Sequence, residues 1–462
     1  MPSCTLLRLG YDILVQIFQL LSVKYDLLLL SWTCRDIREA CKPCLFSSAR
    51  ISARRELLSG ALFSSPPSDI WAFVRCLNII GIWENGCDPP RTRITLGDLQ
   101  TPFVQFLSRM PALETIVTDA WGHNGLPWDG VQAILSCPQL RHLVLRVTPD
   151  RGEPVPPNFE SPRCSLASFS LPLRDFRYHP RSFVGEVSLA NFIVSTLAHS
   201  LEQLSMLLDV APLVTMASLK MPRLRELYLR GEWPTAGADT SVPLLAAISG
   251  MPRLRSLTFL RAVSDGNHRE MYWRPRVLDR FPCGELERLS IAYPEPTDEL
   301  YAHLPTTLCS LALRCYPRHY LHQHRHDRRT VEDELGWASP ILKSSEMHAL
   351  LRRCRVPSLE ELEIEYEEDA SDAMLLGSIA ALFPNLRVLT ILRYRSPNND
   401  NVPVEDIACA LSSLSHLRIL RLHLDFPTTP HPSRTSCRGP STPPTVSQST
   451  RRSSGQSPTR SL

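Results

Sequence analysis

The octapeptide Pro222-Arg-Leu-Arg-Glu-Leu-Tyr-Leu229 decides the architecture, because the chain keeps returning to it. Pro138-Gln-Leu-Arg-His-Leu-Val-Leu145, Pro252-Arg-Leu-Arg-Ser-Leu-Thr-Phe259, Pro357-Ser-Leu-Glu-Glu-Leu-Glu-Ile364 and Pro384-Asn-Leu-Arg-Val-Leu-Thr-Ile391 repeat it. Copies lacking the Pro or a Leu begin at Leu113, Leu166, Leu201, Leu286, Leu308 and Leu417. Most close on two apolar residues that flank a third, the period of a strand with one buried face. The leading Pro holds the chain extended and stops whatever helix precedes it. Val74-Arg-Cys-Leu-Asn-Ile79 reads as the first strand of the series.

The first Leu of successive copies is mostly 22–35 residues from the next. One step, from Leu308 to Leu359, is 51 residues, so an insertion lies near 316–339. Amphipathic helices are expected before many copies. In Asp372–Phe383, Leu375, Leu376, Ile379, Leu382 and Phe383 share a face; in Val404–Leu414 the face is Ile407, Ala410, Leu411 and Leu414. One helix–strand unit cannot bury its own apolar faces, but stacked units can. The period and pattern resemble leucine-rich repeats. Residues 49–426 are therefore expected to form an α/β solenoid, with parallel strands inside and helices outside.

Side chains that alternate with the inward Leu residues point out of the open face. Glu226, Tyr228 and Arg230 stand on one such strand, Glu361, Glu363 and Glu365 on another, and Arg421 on the last. These are the candidate substrate-facing residues. His142, Val144, Arg146 and His423 share the face. Three glutamates in a row repel unless water or a basic partner lies over them. Either a basic substrate segment or a solvated acidic surface satisfies that requirement.

Residues 5–48 carry a different pattern. Leu9, Ile13, Ile17 and Leu20 fall at helical spacing, and Leu14, Phe18 and Leu21 widen the face. Asp26 is the expected N-cap of a second helix, whose stripe runs Leu30, Cys34, Ile37 and Cys41 until Pro43 ends it. So much apolar surface on a short segment must be covered by the next domain, a partner, or both.

That segment resembles an F-box. Leu9-Gly-Tyr-Asp-Ile-Leu-Val-Gln-Ile-Phe-Gln-Leu-Leu21, Asp26-Leu-Leu-Leu-Leu-Ser-Trp-Thr-Cys-Arg35 and Pro43-Cys-Leu-Phe46 follow the family pattern in order. Gly10 stands where the family usually has Pro, which releases a fixed φ at the start of the first helix. An F-box followed by leucine-rich repeats is similar to the substrate receptors of cullin-RING (SCF-type) ubiquitin ligases, including many fungal ones. The resemblance implies docking to the ligase's small adaptor through Leu9, Ile13, Leu14, Ile17, Phe18, Leu21, Leu28, Trp32 and Cys34. It implies capture of a protein substrate by the repeats and no catalysis by the chain itself. The alternative is a plain interaction scaffold whose first helices only cap the solenoid.

The remaining sequence excludes more than it suggests. Net charge is +3; residues 427–462 carry +5, leaving the rest at −2, so no nucleic-acid footprint is expected. Ser, Thr, Pro and Arg supply 28 of those last 36 residues, a composition expected to stay disordered. Its Thr429-Pro430, Thr442-Pro443 and Ser457-Pro458 suit proline-directed kinases only weakly. None of the ten Asn starts a glycosylation sequon, no signal peptide fits the start, and no apolar run spans a membrane. Together with fourteen scattered Cys, these features predict a cytoplasmic or nuclear protein with free thiols. Cys41-Lys-Pro-Cys44 lacks a second pair for zinc, and His319, His322, His324 and His326 read as an exposed loop. No Gly-rich phosphate loop, nucleophile elbow or His-Glu-x-x-His occurs. No cofactor or metal is expected.

Overall fold

The computed structural model describes residues 9–21, 23–52, 68–80, 100–119, 125–146, 153–172, 184–234, 242–264, 269–273, 280–320, 337–396, 399 and 401–426. Sixteen strands occur among them. They are β1 (Ser48–Ser52), β2 (Cys76–Ile80), β3 (Thr115–Asp119), β4 (His142–Leu145), β5 (Ser168–Leu171), β6 (Gln203–Leu207), β7 (Glu226–Gly231), β8 (Ser256–Arg261), β9 (Val263–Ser264), β10 (Arg288–Ala292), β11 (Ser310–Arg314), β12 (Trp337–Ala338), β13 (Leu342–Lys343), β14 (Glu361–Glu367), β15 (Val388–Tyr394) and β16 (Ile419–Leu424). Fourteen form one sheet in which each repeat strand lies parallel to the next, from β1 through β16. The fold is thus an α/β solenoid of stacked helix–strand units.

The repeat pattern explains this sheet residue by residue. The first Leu of each copy from Leu113 to Leu386 is fully buried, and the two later apolar positions join the same core. Each strand begins with a carbonyl that accepts two N–H groups from the next repeat. Ser47 O accepts from Arg75 and Cys76 at 2.8 and 2.9 Å, and Arg387 O accepts from Arg418 and Ile419 at 2.8 and 3.0 Å. The same forked bond recurs at every junction between them, so backbone polar groups that would otherwise be stranded are satisfied. Side chains after the motif's Pro add clips to the preceding repeat: Asn385 Nδ2 donates to Pro357 O at 2.9 Å, and Gln139 Nε2 to Met110 O at 3.1 Å.

Val74–Ile79 does not hold the first strand. β2 begins at Cys76, and β1 precedes it in register with Ser48 opposite Cys76. β1 has only one strongly apolar residue, Ile51, so its sequence carries little strand signal. The insertion leaves the stacking intact: Cys309 O still bonds Glu360 and Glu361, and Ser310 pairs with Glu361 across the 51-residue step.

Helices line the other face. After α1 (Tyr11–Gln19), α2 (Lys24–Ser31) and α3 (Arg35–Leu45) come α4 (Ser68–Trp71), α5 (Gln100–Ser108), α6 (Trp128–Leu135), α7 (Val184–Leu197), α8 (Leu213–Ser218), α9 (Leu244–Ile248), α10 (Ser344–Arg353), α11 (Asp372–Leu382) and α12 (Val404–Leu411). Leu375, Leu376, Ile379 and Phe383 bury the face expected of α11, and Ile407, Leu411 and Leu414 that of α12. Asp369 secures the start of α10. Burial alone would raise its pKa, but Ser344 and Ser345 hydroxyls and the N–H groups of Ser371 and Ser345 hold it at about 2. A carboxylate depressed from 3.8 contributes stability above its ordinary pKa and loses it as pH falls toward 2. The thermal midpoint gap between wild type and Asp369→Asn should therefore be constant above pH ~4 and close below it; a gap that persists at the acid end contradicts this anchor.

Candidate protein-binding surfaces

The first three helices form a small core of their own. Leu14, Phe18, Leu27, Ile37, Ala40 and Cys41 are buried together, with Ile17, Leu21, Leu30, Cys34, Cys44 and Leu45 packed around them. None of these belongs to the solenoid core. The anticipated second helix is two helices. α2 starts at Lys24 with Val23 at its cap, placing Asp26 in the first turn, where its charge meets the helix dipole. The helix is interrupted between Ser31 and Arg35, so the Leu30–Cys41 stripe is shared by α2 and α3. Pro43 sits inside the last turn of α3, which continues to Leu45; only one ladder bond is forfeited there.

The nine expected adaptor contacts divide into two groups. Leu14 and Phe18 are sealed in this small core, and Ile17, Leu21 and Cys34 are half-buried against it. Leu9, Ile13, Leu28 and Trp32 face outward, with Ile13 48% and Trp32 67% exposed. Tyr11, Val23, Tyr25 and Leu29, which the pattern did not single out, are exposed as well, and so is Leu20 of the expected stripe. The helical segment therefore packs itself with one set of apolar side chains and presents a second set to its surroundings. Phe18→Ala should cost about 3–5 kcal/mol of this segment's stability. Hydrogen exchange should quicken across α1–α3 while β2–β15 stay protected; uniform loss along the chain would join the two cores.

On the open face the expected acidic row is dismantled by the insertion. Glu361 is exposed, but Glu363 is half-buried and pairs with Arg318, with Arg314 3.9 Å away. Glu365 is only 2% exposed. It accepts bonds from Arg318 Nη1 at 2.9 Å, the Cys315 and His319 N–H groups at 3.1 Å each, and the Tyr394 hydroxyl at 3.0 Å. It is an internal anchor and not a substrate-facing residue. Burial, and after it the Glu365 carboxylate, push the Tyr394 hydroxyl pKa well up, so that hydroxyl stays a donor. Glu367, the next outward glutamate, pairs with Lys343, and Glu368 is buried against Arg393.

The insertion's described ends are held at both sides. His319 lies 4.6 Å from the Tyr394 ring, and its Nδ1 is 2.8 Å from Ser339 O. Trp337 bonds Glu232, and β12 pairs antiparallel with β9. His319 is therefore no exposed loop residue; His322, His324 and His326 lie outside the described residues. Glu226 is exposed, 3.5 Å from Arg288, while Tyr228 and Arg230 are half-buried on β7. Tyr228 sits in register between Ser205 and Thr258, whose small side chains leave its ring the largest feature of that row. Arg421 is exposed on β16.

Among the described residues no group of His, Cys, Asp or Glu is arranged to hold a metal ion. Cys41 and Cys44 are free, and burial raises both thiols, which makes them poor nucleophiles. No described helix is long and apolar enough to cross a membrane.

No family model matches the chain, and no curated protein does. Among solved structures it is similar to TLR13 in its crystal complex with ssRNA13, at 15% identity and a TM-score of 0.29, over 81% of this chain and 54% of that one. The chain thus spans about half the length of TLR13. A Bacteroides fragilis protein is similar at 10% identity and a TM-score of 0.26, covering 83% of this chain and 75% of that one. At these scores neither likeness bears on function.

Proposed function

We propose that the chain is a non-catalytic substrate receptor of a cullin-RING ubiquitin ligase. In this reading residues 5–48 dock the small adaptor, residues 49–426 capture a protein substrate, and residues 427–462 form a separate tail. One observation carries it: Leu9, Ile13, Leu28 and Trp32 remain exposed on helices whose core is already complete. Helices serving only as a cap would bury that surface against the first repeat. Fully burying one such side chain stabilises by roughly 1.5–3 kcal/mol, part of which ordering cancels on association. The order of apolar residues along α1–α3 supplies the second support, since it follows the F-box motif.

The test is co-purification. The full chain, expressed with the small adaptor and a cullin, should elute as a complex with both. Elution of the chain alone at micromolar concentrations would remove the ligase role and leave a repeat scaffold.

A further inference from the structure

The sheet ends at β16, which has no strand on its outer side among the described residues. Leu420 and Leu422 are in register with Leu389 and Ile391 of β15. Those neighbours are 0% and 1% exposed, whereas Leu420 and Leu422 are 42% and 40% exposed. Ile419 and Phe426 beside them are exposed too. The edge is also open in its backbone. Ile419 donates to Arg387 O at 3.0 Å and Asp425 to Arg393 O at 3.3 Å. Alternate residues of a strand turn their peptide groups to opposite sides, so Leu420, Leu422 and Leu424 aim theirs at the free edge. Such an edge is a template for another strand.

Charge selects the occupant. Arg418 and Arg421 are exposed, and neither has a carboxylate partner among the described residues. Residues 427–462 do not complement them: they contain no acid, and their only aliphatic side chains are Val446 and Leu462 besides prolines. A second copy fits poorly. Antiparallel self-pairing that keeps the leucines on one face, centred on the strand, sets Arg421 opposite itself or His423. We infer that β16 accepts a strand from a partner protein in which acidic residues alternate with aliphatic ones. The acids meet Arg421 on the open face, and the aliphatics cover Leu420 and Leu422 on the other. The inference does not depend on what α1–α3 bind.

The experiment uses the full chain and a short capped peptide alternating Glu with Val, with a Lys–Val peptide as control. The Glu peptide should bind and protect the amides of Leu420, Leu422 and Leu424 from exchange. Arg421→Glu, an exposed change that leaves the melting curve in place, should weaken it by roughly tenfold, as for one lost charge pair, and favour the Lys peptide instead. Arg421→Gln should fall between. Absence of binding, indifference to Arg421→Glu, or protection elsewhere overturns the inference. So does protection of the same amides in a concentration-dependent dimer of the unliganded chain, which assigns the edge to a second copy.

Discussion

Combining Ile13→Asp with Trp32→Ala is expected to abolish co-purification with the adaptor while the chain stays folded. Both side chains lie outside the α1–α3 core, at 48% and 67% exposure, so neither substitution opens a cavity. Each removes apolar area that docking would bury, and the carboxylate introduced in place of Ile13 would also have to be desolvated against an apolar partner surface. Losing two such anchors should weaken association by roughly a hundredfold or more. Phe18→Ala is an unsuitable alternative, because Phe18 is sealed inside the helical core and its loss would confuse unfolding with lost contact. The measurement is pull-down of the adaptor alongside circular dichroism of the purified variant. Wild-type recovery of the adaptor by the double variant would remove this face from any docking role.

Glu365→Ala is expected to have the largest effect on stability, about 3–5 kcal/mol as for one partner lost from a buried charge pair. The carboxylate gathers one guanidinium, two backbone N–H groups and one hydroxyl, and Ala would leave all four donors without it. It also ties the base of the insertion to β14 and β15. Urea unfolding should show the lowered midpoint, and the Cys315 and His319 amides should exchange faster than those of β2–β4. An unchanged midpoint would mean that water replaces the carboxylate at little cost and that the insertion is held by Trp337 and β12 alone. Glu361→Ala, on the same strand but exposed, should change little. The contrast between two glutamates four residues apart is itself a check of the register.

The repeat phrase made the solenoid legible. Leu and Ile at alternating positions have only one place to go in a strand, and Pro before them has few, so sheet and register follow from local chemistry. The 51-residue step announced an insertion but not its destination. Arg318 lies more than forty residues from Glu363 and Glu365, and no local period links them. Alternation alone therefore read three glutamates as one acidic surface, although the fold engages two of them internally.

For the N-terminal helices, composition and spacing are enough to dictate that apolar surface exceeds what a short segment can hide. They leave open which side chains are hidden. Leu14 and Ile13 are neighbours on one helix, yet the first is buried and the second exposed, because α3 packs against one side of α1 only. Side-chain chemistry sets how much apolar area must be covered; the packing of one helix on another chooses which part is left for a partner. The same division applies at β16, where Leu420 and Leu422 obey the repeat pattern in sequence but have no following unit among the described residues to complete their burial.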